Sequence, residues 1–251
     1  LIAGLHMGGP YISPVDGPRG AHDLAHVCDA SIEDFKVRQE AAQGQIRLVT
    51  LAPEVPGALA LTEYLAGEGI TIGIGHSSAD SQHIADAVSA GATHSTHLGN
   101  GCFSRMDRHH NSLWPQLACD TLIPGLIVDG HHLTQPFVQS VIKAKTPQGS
   151  VLVTDAVAAA AAPPGRYALA NGEVERAEDG KVTAVGGGHL AGSSLTLNDA
   201  IARTCQWTQL DLNTVWAMAS KQAAAVVGMG ISEDIDVDWN AETGALEILS
   251  A

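Results

Sequence analysis

The chain is short of positive charge, of paired cysteines and of long apolar runs, and each shortage removes a class of function. Thirteen Lys and Arg stand against 27 Asp and Glu, a formal charge of −14. That balance repels polyanions at long range, so neither nucleic acid nor an anionic membrane surface is an expected partner. The four cysteines, Cys28, Cys102, Cys119 and Cys205, form no CxxC pair, which argues against a disulfide framework or zinc ribbon and suits a reducing, cytoplasmic setting. No apolar run approaches the roughly 18 residues that span a bilayer, and the opening LIAGLH lacks the basic start of a signal peptide. Those first residues read as mid-strand and carry no initiating Met, so an N-terminal portion is expected to precede them. The glycine-rich GGGHLAGSS has no P-loop Lys, and no GxSxG elbow surrounds Ser193 or Ser194. It reads as structural or substrate-adjacent rather than as a nucleotide loop or a serine nucleophile.

Histidine, by contrast, is plentiful: twelve in 251 residues, many beside Gly, Ser, Thr or Asp. A chain of this length buries roughly 70 to 75% of its unfolded surface and needs no metal merely to fold, so clustered histidines point to a site. His26, His83, His94 and His189 read as ordinary surface or core residues, and the Met and Trp side chains read as core.

Short Val, Ile and Leu runs alternate with helical patterns, the rhythm of strand–helix crossover units in a parallel sheet. Six strands are expected at 1–6, 46–52, 70–75, 92–97, 124–128 and 150–154. Helices are expected at 80–90, at 134–145, from about 195 to 207, and from the cap at Asp211 on to Val226. Between 167 and 185 the pattern changes to short hairpin strands, with turn signals at Asn171-Gly172 and Asp179-Gly180. Strand-like residues return from Asp234 to Leu249 around Thr243-Gly244. The expected organisation is one domain over 1–230 and a small β module over 231–251.

The six apolar strands end in polar residues: His6, Glu54, His76, His97, the group Asp129, His131 and His132, and Asp155. In parallel α/β folds, ligands bind at the C-terminal strand edge. His76, His97 and Asp155 form the sharpest group, although 21 and 58 residues separate them in turn. Two neutral imidazoles and a carboxylate suit zinc or a similar divalent ion. Such an ion activates water against a carbonyl while the aspartate carries a proton to the leaving nitrogen, which is amide hydrolysis.

The series GLHMGGPYISPVDGPRGAH, TLAPE, GHSSAD, STHLGNG, VDGHHL, LVTDA and LAGSSLTL resembles, in order and spacing, the N-acetylglucosamine-6-phosphate deacetylases of the amidohydrolase superfamily. The resemblance runs from residue 4 to about 228. It implies an α/β fold, a (β/α)8 TIM-type barrel with a small β-sandwich made from both chain ends, entered here at about the third barrel strand. It implies that His76 and His97 are metal ligands, that Asp155 is both ligand and catalytic acid/base, and that His22 polarises the acetyl carbonyl. Asn100 and Gly101 correspond to a substrate-contacting loop, His132 to a sugar-binding histidine, and Arg108 to an arginine that reaches the sugar phosphate across a dimer interface. The implied cofactor is a divalent metal, Zn2+ before Fe2+ or another ion. The implied substrate is a small amino sugar, and the implied assembly is a homodimer.

Two departures stand out. The family's HLEGP carries a metal-binding glutamate where this chain has His6-Met7-Gly8-Gly9-Pro10, so Gly8 supplies no carboxylate. Glu54 and Asp129, on neighbouring strand ends, are the carboxylates that could compensate, although the resemblance already includes the TLAPE glutamate, so Glu54 is no special rescue. Arg108 is followed by His109-His110-Asn111 where Glu-Pro-Gly is common. A degenerate, non-catalytic barrel that binds a sugar or a partner, and an amidohydrolase acting on a different amide, are the alternatives.

Overall fold

Aliphatic runs followed by capped helices recur along the computed structural model, which describes residues 2–170, 172–231, 236–240, 243 and 245–250. The chain divides into two compact units, Leu1–Pro124 with Val226–Gly228, and Gly125–Ala225 with Met229–Ala251.

The first unit contains β1 (Leu5–Gly8), α1 (Ile32–Ala41), β2 (Ile46–Leu51), α2 (Ala58–Gly67), β3 (Thr71–Ile74), α3 (Ser81–Ser89), β4 (His94–Ser95) and α4 (Leu113–Ala118). It also contains the first half of β5 (Ile123–Leu126). Pairing is parallel throughout, β1 to β2, β2 to β3, β3 to β4, and β4 to Ile123 and Pro124. The helices start where side chains satisfy their free N–H groups: Ser31 caps α1 and Asp80 caps α3. Val49, Leu51, Ile72 and Ile74 of the strands pack in one cluster with Phe35, Leu61, Leu65, Ile84 and Ala87 of the helices. Each fully buried large aliphatic side chain contributes about 1.5–3 kcal/mol, so this cluster rather than intrinsic propensity holds ten-residue helices that would not persist alone.

In the second unit, Gly125 and Leu126 of β5 pair in parallel with β6 (Val151–Leu152), and α5 (Gln135–Lys145) makes the crossover. β7 (Gly165–Leu169), β8 (Gly172–Arg176) and β9 (Val182–Ala184) form an antiparallel sheet over Ala159, Val174, Val182 and Ala191. After it come α6 (Leu197–Thr208), α7 (Leu212–Ala219), α8 (Lys221–Val226) and the antiparallel pair β10 (Asp236–Asn240) and β11 (Ala245–Ser250).

All six expected parallel strands form, shorter than the apolar runs suggest, and the first begins at Leu5 instead of Leu1. The single helix expected from Asp211 to Val226 is two, because Ser220 leaves helical geometry at φ −125 and ψ −94. α1, α2 and α4 were not foreseen. Trp114 is 53% exposed, so the expectation that every Trp is core is corrected. Leu1, Asn171, Asp234 and Gly244, named in the sequence reading, lie outside the described residues.

Candidate active site

His76 follows β3 and His97 follows β4, and both hold left-handed backbone angles, φ 51 and φ 34. Asp155, beyond β6, does the same at φ 50. Non-glycine residues in this region cost about 1–3 kcal/mol each and concentrate at functional sites. Gln43, Thr146, Ala161, Ala170 and Gln209 share the conformation, so it marks the strand-end turns without by itself assigning them a role.

In the first unit, the Nε2 atoms of His76 and His97 lie 3.0 Å apart. With the His76 Nε2 lone pair outward, the contact is a hydrogen bond in which His97 Nε2–H donates to it, and a metal ion would take the place of that hydrogen. Two nitrogens each about 2.0–2.1 Å from one ion would sit roughly 3 Å apart, so the pair fits a shared divalent ion. His76 Nδ1 lies 3.0 Å from the Pro18 carbonyl oxygen, to which it donates, leaving Nε2 with its lone pair outward. The ring lies in a glycine cradle: a Cβ on Gly20 would stand 3.0 Å from its Cε1, and one on Gly101 would stand 2.9 Å from its Nδ1. Burial, then the neighbouring His22 charge, pulls the His76 pKa down to about 4, so this imidazole is neutral and ligand-competent at pH 7.

His22 meets His76 edge to face, with centroids 4.6 Å apart, and burial followed by Arg19 holds its pKa below the ordinary value. Both causes favour the neutral ring. Asn100 donates its backbone N–H to the His97 carbonyl at 2.9 Å and sits beside Gly101 in the loop after β4. Arg108 is exposed, and its carbonyl accepts from the Trp114 indole N–H at 2.9 Å.

Glu54 is not free to compensate for Gly8. Its carboxylate accepts from the Ser77 hydroxyl at 2.7 Å, the Ser78 N–H at 2.6 Å and the Ser78 hydroxyl at 2.9 Å. TLAPE thus ties down the loop that carries His76. A Cβ on Gly8 would meet nothing within 4 Å. Among the described residues, no group of three or more His, Cys, Asp or Glu side chains is gathered to hold a metal ion. The two histidines meet each other, and Gly8 brings no carboxylate.

In the second unit, Ser193 holds the backbone around Asp155. Its N–H donates to the Asp155 carbonyl at 2.8 Å and its hydroxyl donates to the Thr154 carbonyl. Ser193 is 1% exposed, which fits the structural reading of LAGSS and leaves it no access as a nucleophile. Asp155 is exposed as a residue; the protein packed around its carboxyl raises its pKa, with His132 opposing and Asp129 adding to the rise. Asp129 is also engaged: one oxygen accepts from the His131 and His132 N–H groups at 2.8 and 2.7 Å, and the other from His132 Nδ1 at 2.6 Å. Both carboxylates named as possible substitutes for the missing ligand are therefore committed elsewhere. Sequence reasoning missed these partnerships, although the Asp-x-x-His spacing in VDGHH carried the signal for the second.

Parallel strands alternating with helices define an α/β protein, in which His76 and His97 meet on strand-end turns of the first unit and Asp155 follows a strand of the second. No protein-family model matches the chain. Among curated proteins it is 33% identical over 223 residues to the N-acetylglucosamine-6-phosphate deacetylase of Lysinibacillus sphaericus, covering 89% of this chain and 57% of that one. The human enzyme of the same name is 34% identical over 239 residues, covering 91% of this chain and 56% of the relative. An N-acetylgalactosamine-6-phosphate deacetylase of Escherichia coli O157:H7 is 31% identical over 228 residues, covering 91% and 59%. Among solved structures, an aspartate-to-alanine mutant of the Mycobacterium smegmatis N-acetyl-D-glucosamine-6-phosphate deacetylase, in complex with N-acetyl-D-glucosamine-6-phosphate, matches with a TM-score of 0.86. That match has 27% identity and covers 91% of this chain and 60% of the other. The chain is homologous to the N-acetylglucosamine-6-phosphate deacetylases, and it spans a little under three fifths of the length of the curated relatives it matches, 57% in the Lysinibacillus case.

Proposed function

We propose that this protein hydrolyses the N-acetyl amide of an amino sugar 6-phosphate, N-acetylglucosamine-6-phosphate foremost, to the free amine and acetate. The observation that carries the reading is the His76–His97 pair, with nitrogens 3.0 Å apart and the Pro18 carbonyl fixing one ring, in a chain homologous to deacetylases of that name. We infer that the parallel strand–helix units are those of a (β/α)8 barrel with a small β-sandwich. His76 and His97 would hold a divalent metal, zinc being the ion best suited to imidazole donors. Bound there, such an ion polarises the amide carbonyl and makes water acidic enough to attack near neutral pH.

Asp155, its pKa raised by the protein packed around its carboxyl, takes the proton from the attacking water and delivers it to the leaving nitrogen, so that C–N cleavage expels a neutral amine. His22 donates a hydrogen bond to the carbonyl oxygen as negative charge builds there. Asn100 and Gly101 position the acyl group, His132 holds a sugar hydroxyl, and Arg108 takes the phosphate as an exposed cation. A cytoplasmic homodimer completes the proposal. All four cysteines are free thiols, which suits a reducing compartment, and among the described residues no helix is long and apolar enough to cross a membrane.

The experiment is acetate release from N-acetylglucosamine-6-phosphate by the purified chain with added Zn2+, compared with Asp155→Asn. The variant is expected to fall by about 10²–10⁴-fold, and equal rates would overturn the mechanism. A non-catalytic sugar-binding protein is the second reading, favoured by the side-chain-free Gly8. The N-acetylgalactosamine-6-phosphate relative makes the C4 epimer the first alternative substrate to assay.

A further inference from the structure

Asp129 and His132 form a closed dyad three residues apart in the loop after β5, with side chains 9% and 6% exposed. Every strong interaction of the aspartate faces the same short segment. Oδ1 takes two backbone N–H groups, those of His131 and His132, and Oδ2 takes His132 Nδ1 at 2.6 Å. A carboxylate accepts and does not donate, so the hydrogen between Oδ2 and Nδ1 belongs to the ring. In a neutral imidazole the proton on Nδ1 leaves Nε2 as a bare acceptor.

We propose that Asp129 is a positioning residue that locks His132 as its Nδ1–H tautomer, so that Nε2 selects a ligand group carrying an O–H or N–H donor. This deepens the deacetylase reading, on which it rests for the identity of the ligand: a sugar hydroxyl donates to His132. The two backbone bonds to Oδ1 fix the carboxylate plane before the ring is engaged, and with it the direction of Nε2. Among a set of amino sugars, those that keep the donor hydroxyl bind, and those in which it is methylated or absent lose the bond and leave a lone pair without a partner.

The test uses the whole chain labelled with ¹⁵N in histidine. Long-range ¹H–¹⁵N spectra of the substrate-free protein at neutral pH should show His132 with a protonated Nδ1 and an unprotonated Nε2. Asp129→Asn keeps an oxygen for the two backbone donors, but its amide N–H now faces Nδ1 and drives the ring proton to Nε2. The variant should show the exchanged pattern and a KM for N-acetylglucosamine-6-phosphate about tenfold or more higher, with a smaller change in kcat. A wild-type ring protonated on Nε2 overturns the proposal without recourse to any variant, and so does an exchanged tautomer with an unchanged KM. If the wild type shows the stated tautomer but releases no acetate, the deacetylase reading fails while the Asp129–His132 lock is supported.

Discussion

The hydroxyls of Thr50 and Thr96 touch at 2.7 Å across the intervening strand β3, because that strand presents Gly73 and Gly75 where any side chain would stand between them. The same Thr50 oxygen lies 2.7 Å from His6 Nε2, so a hydrogen-bonded row links β1, β2 and the residue directly before His97. A Cβ on Gly73 would stand 2.3 Å from the Thr96 hydroxyl oxygen. Gly73→Ala is therefore expected to lower unfolding stability by about 1–3 kcal/mol, read as a drop in the urea midpoint. A midpoint unchanged from wild type would show that the row repacks freely.

Position 8 offers room for a carboxylate, since a Cβ there meets no atom within 4 Å. Gly8→Glu is expected to tighten Zn2+ binding by about tenfold or more, measured by chelator competition, and to raise acetate release with it. Tighter binding without any gain in turnover would favour the sugar-binding reading over the enzymatic one.

Substitution at Gly101 separates its packing against His76 from the substrate contact proposed for it. Its φ of +56 suits glycine, and an added Cβ would press on His76 at 2.9 Å from Nδ1 and 3.1 Å from Cγ. Gly101→Ala should therefore weaken Zn2+ binding in the absence of any substrate. If only KM for the sugar changes, the loop touches the ligand and does not cradle the ring.

His94 gives the protein an acid-side weakness. It is 3% exposed, its Nδ1 has no hydrogen-bond partner among the described residues, and burial, followed by the nearby His6 and opposed by a backbone bond to Ile123, lowers its pKa to about 4. Between its ordinary value of 6.5 and about 4, the unfolded chain binds a proton that the folded chain refuses. Stability is thus full above pH 6.5 and falls as pH drops through that window, by up to about 1.4 kcal/mol per pH unit from this residue. His94→Gln should flatten the pH dependence of Tm between pH 6.5 and 4 relative to wild type, and parallel curves for the two would exclude the assignment.

The parallel strands were readable from sequence because a strand buried on both faces must be apolar almost throughout, as Ile123–Leu126 is. Their polar terminators were readable for the same reason: His76, His97 and Asp155 interrupt otherwise unbroken runs. α1 escaped notice because Phe35 is its only fully buried residue, which leaves no apolar stripe to detect. α2 escaped for the opposite reason: ALALTEYLAG is too uniformly apolar to show a face, and Gly57 provides no side-chain cap. The partners of the site residues were hidden at a different level. That Glu54 serves Ser77 and Ser78, and that the Pro18 carbonyl orients His76, depends on contacts between segments more than 20 residues apart, which no local pattern encodes.

The left-handed turns at His76, His97 and Asp155 set durability and chemistry against each other. At each of these positions the polypeptide itself would be more comfortable with glycine, and glycine would erase the imidazole or the carboxylate. A search for hardier versions of this protein by thermal selection alone would drift toward those replacements and return molecules that endure heat without the groups proposed to act.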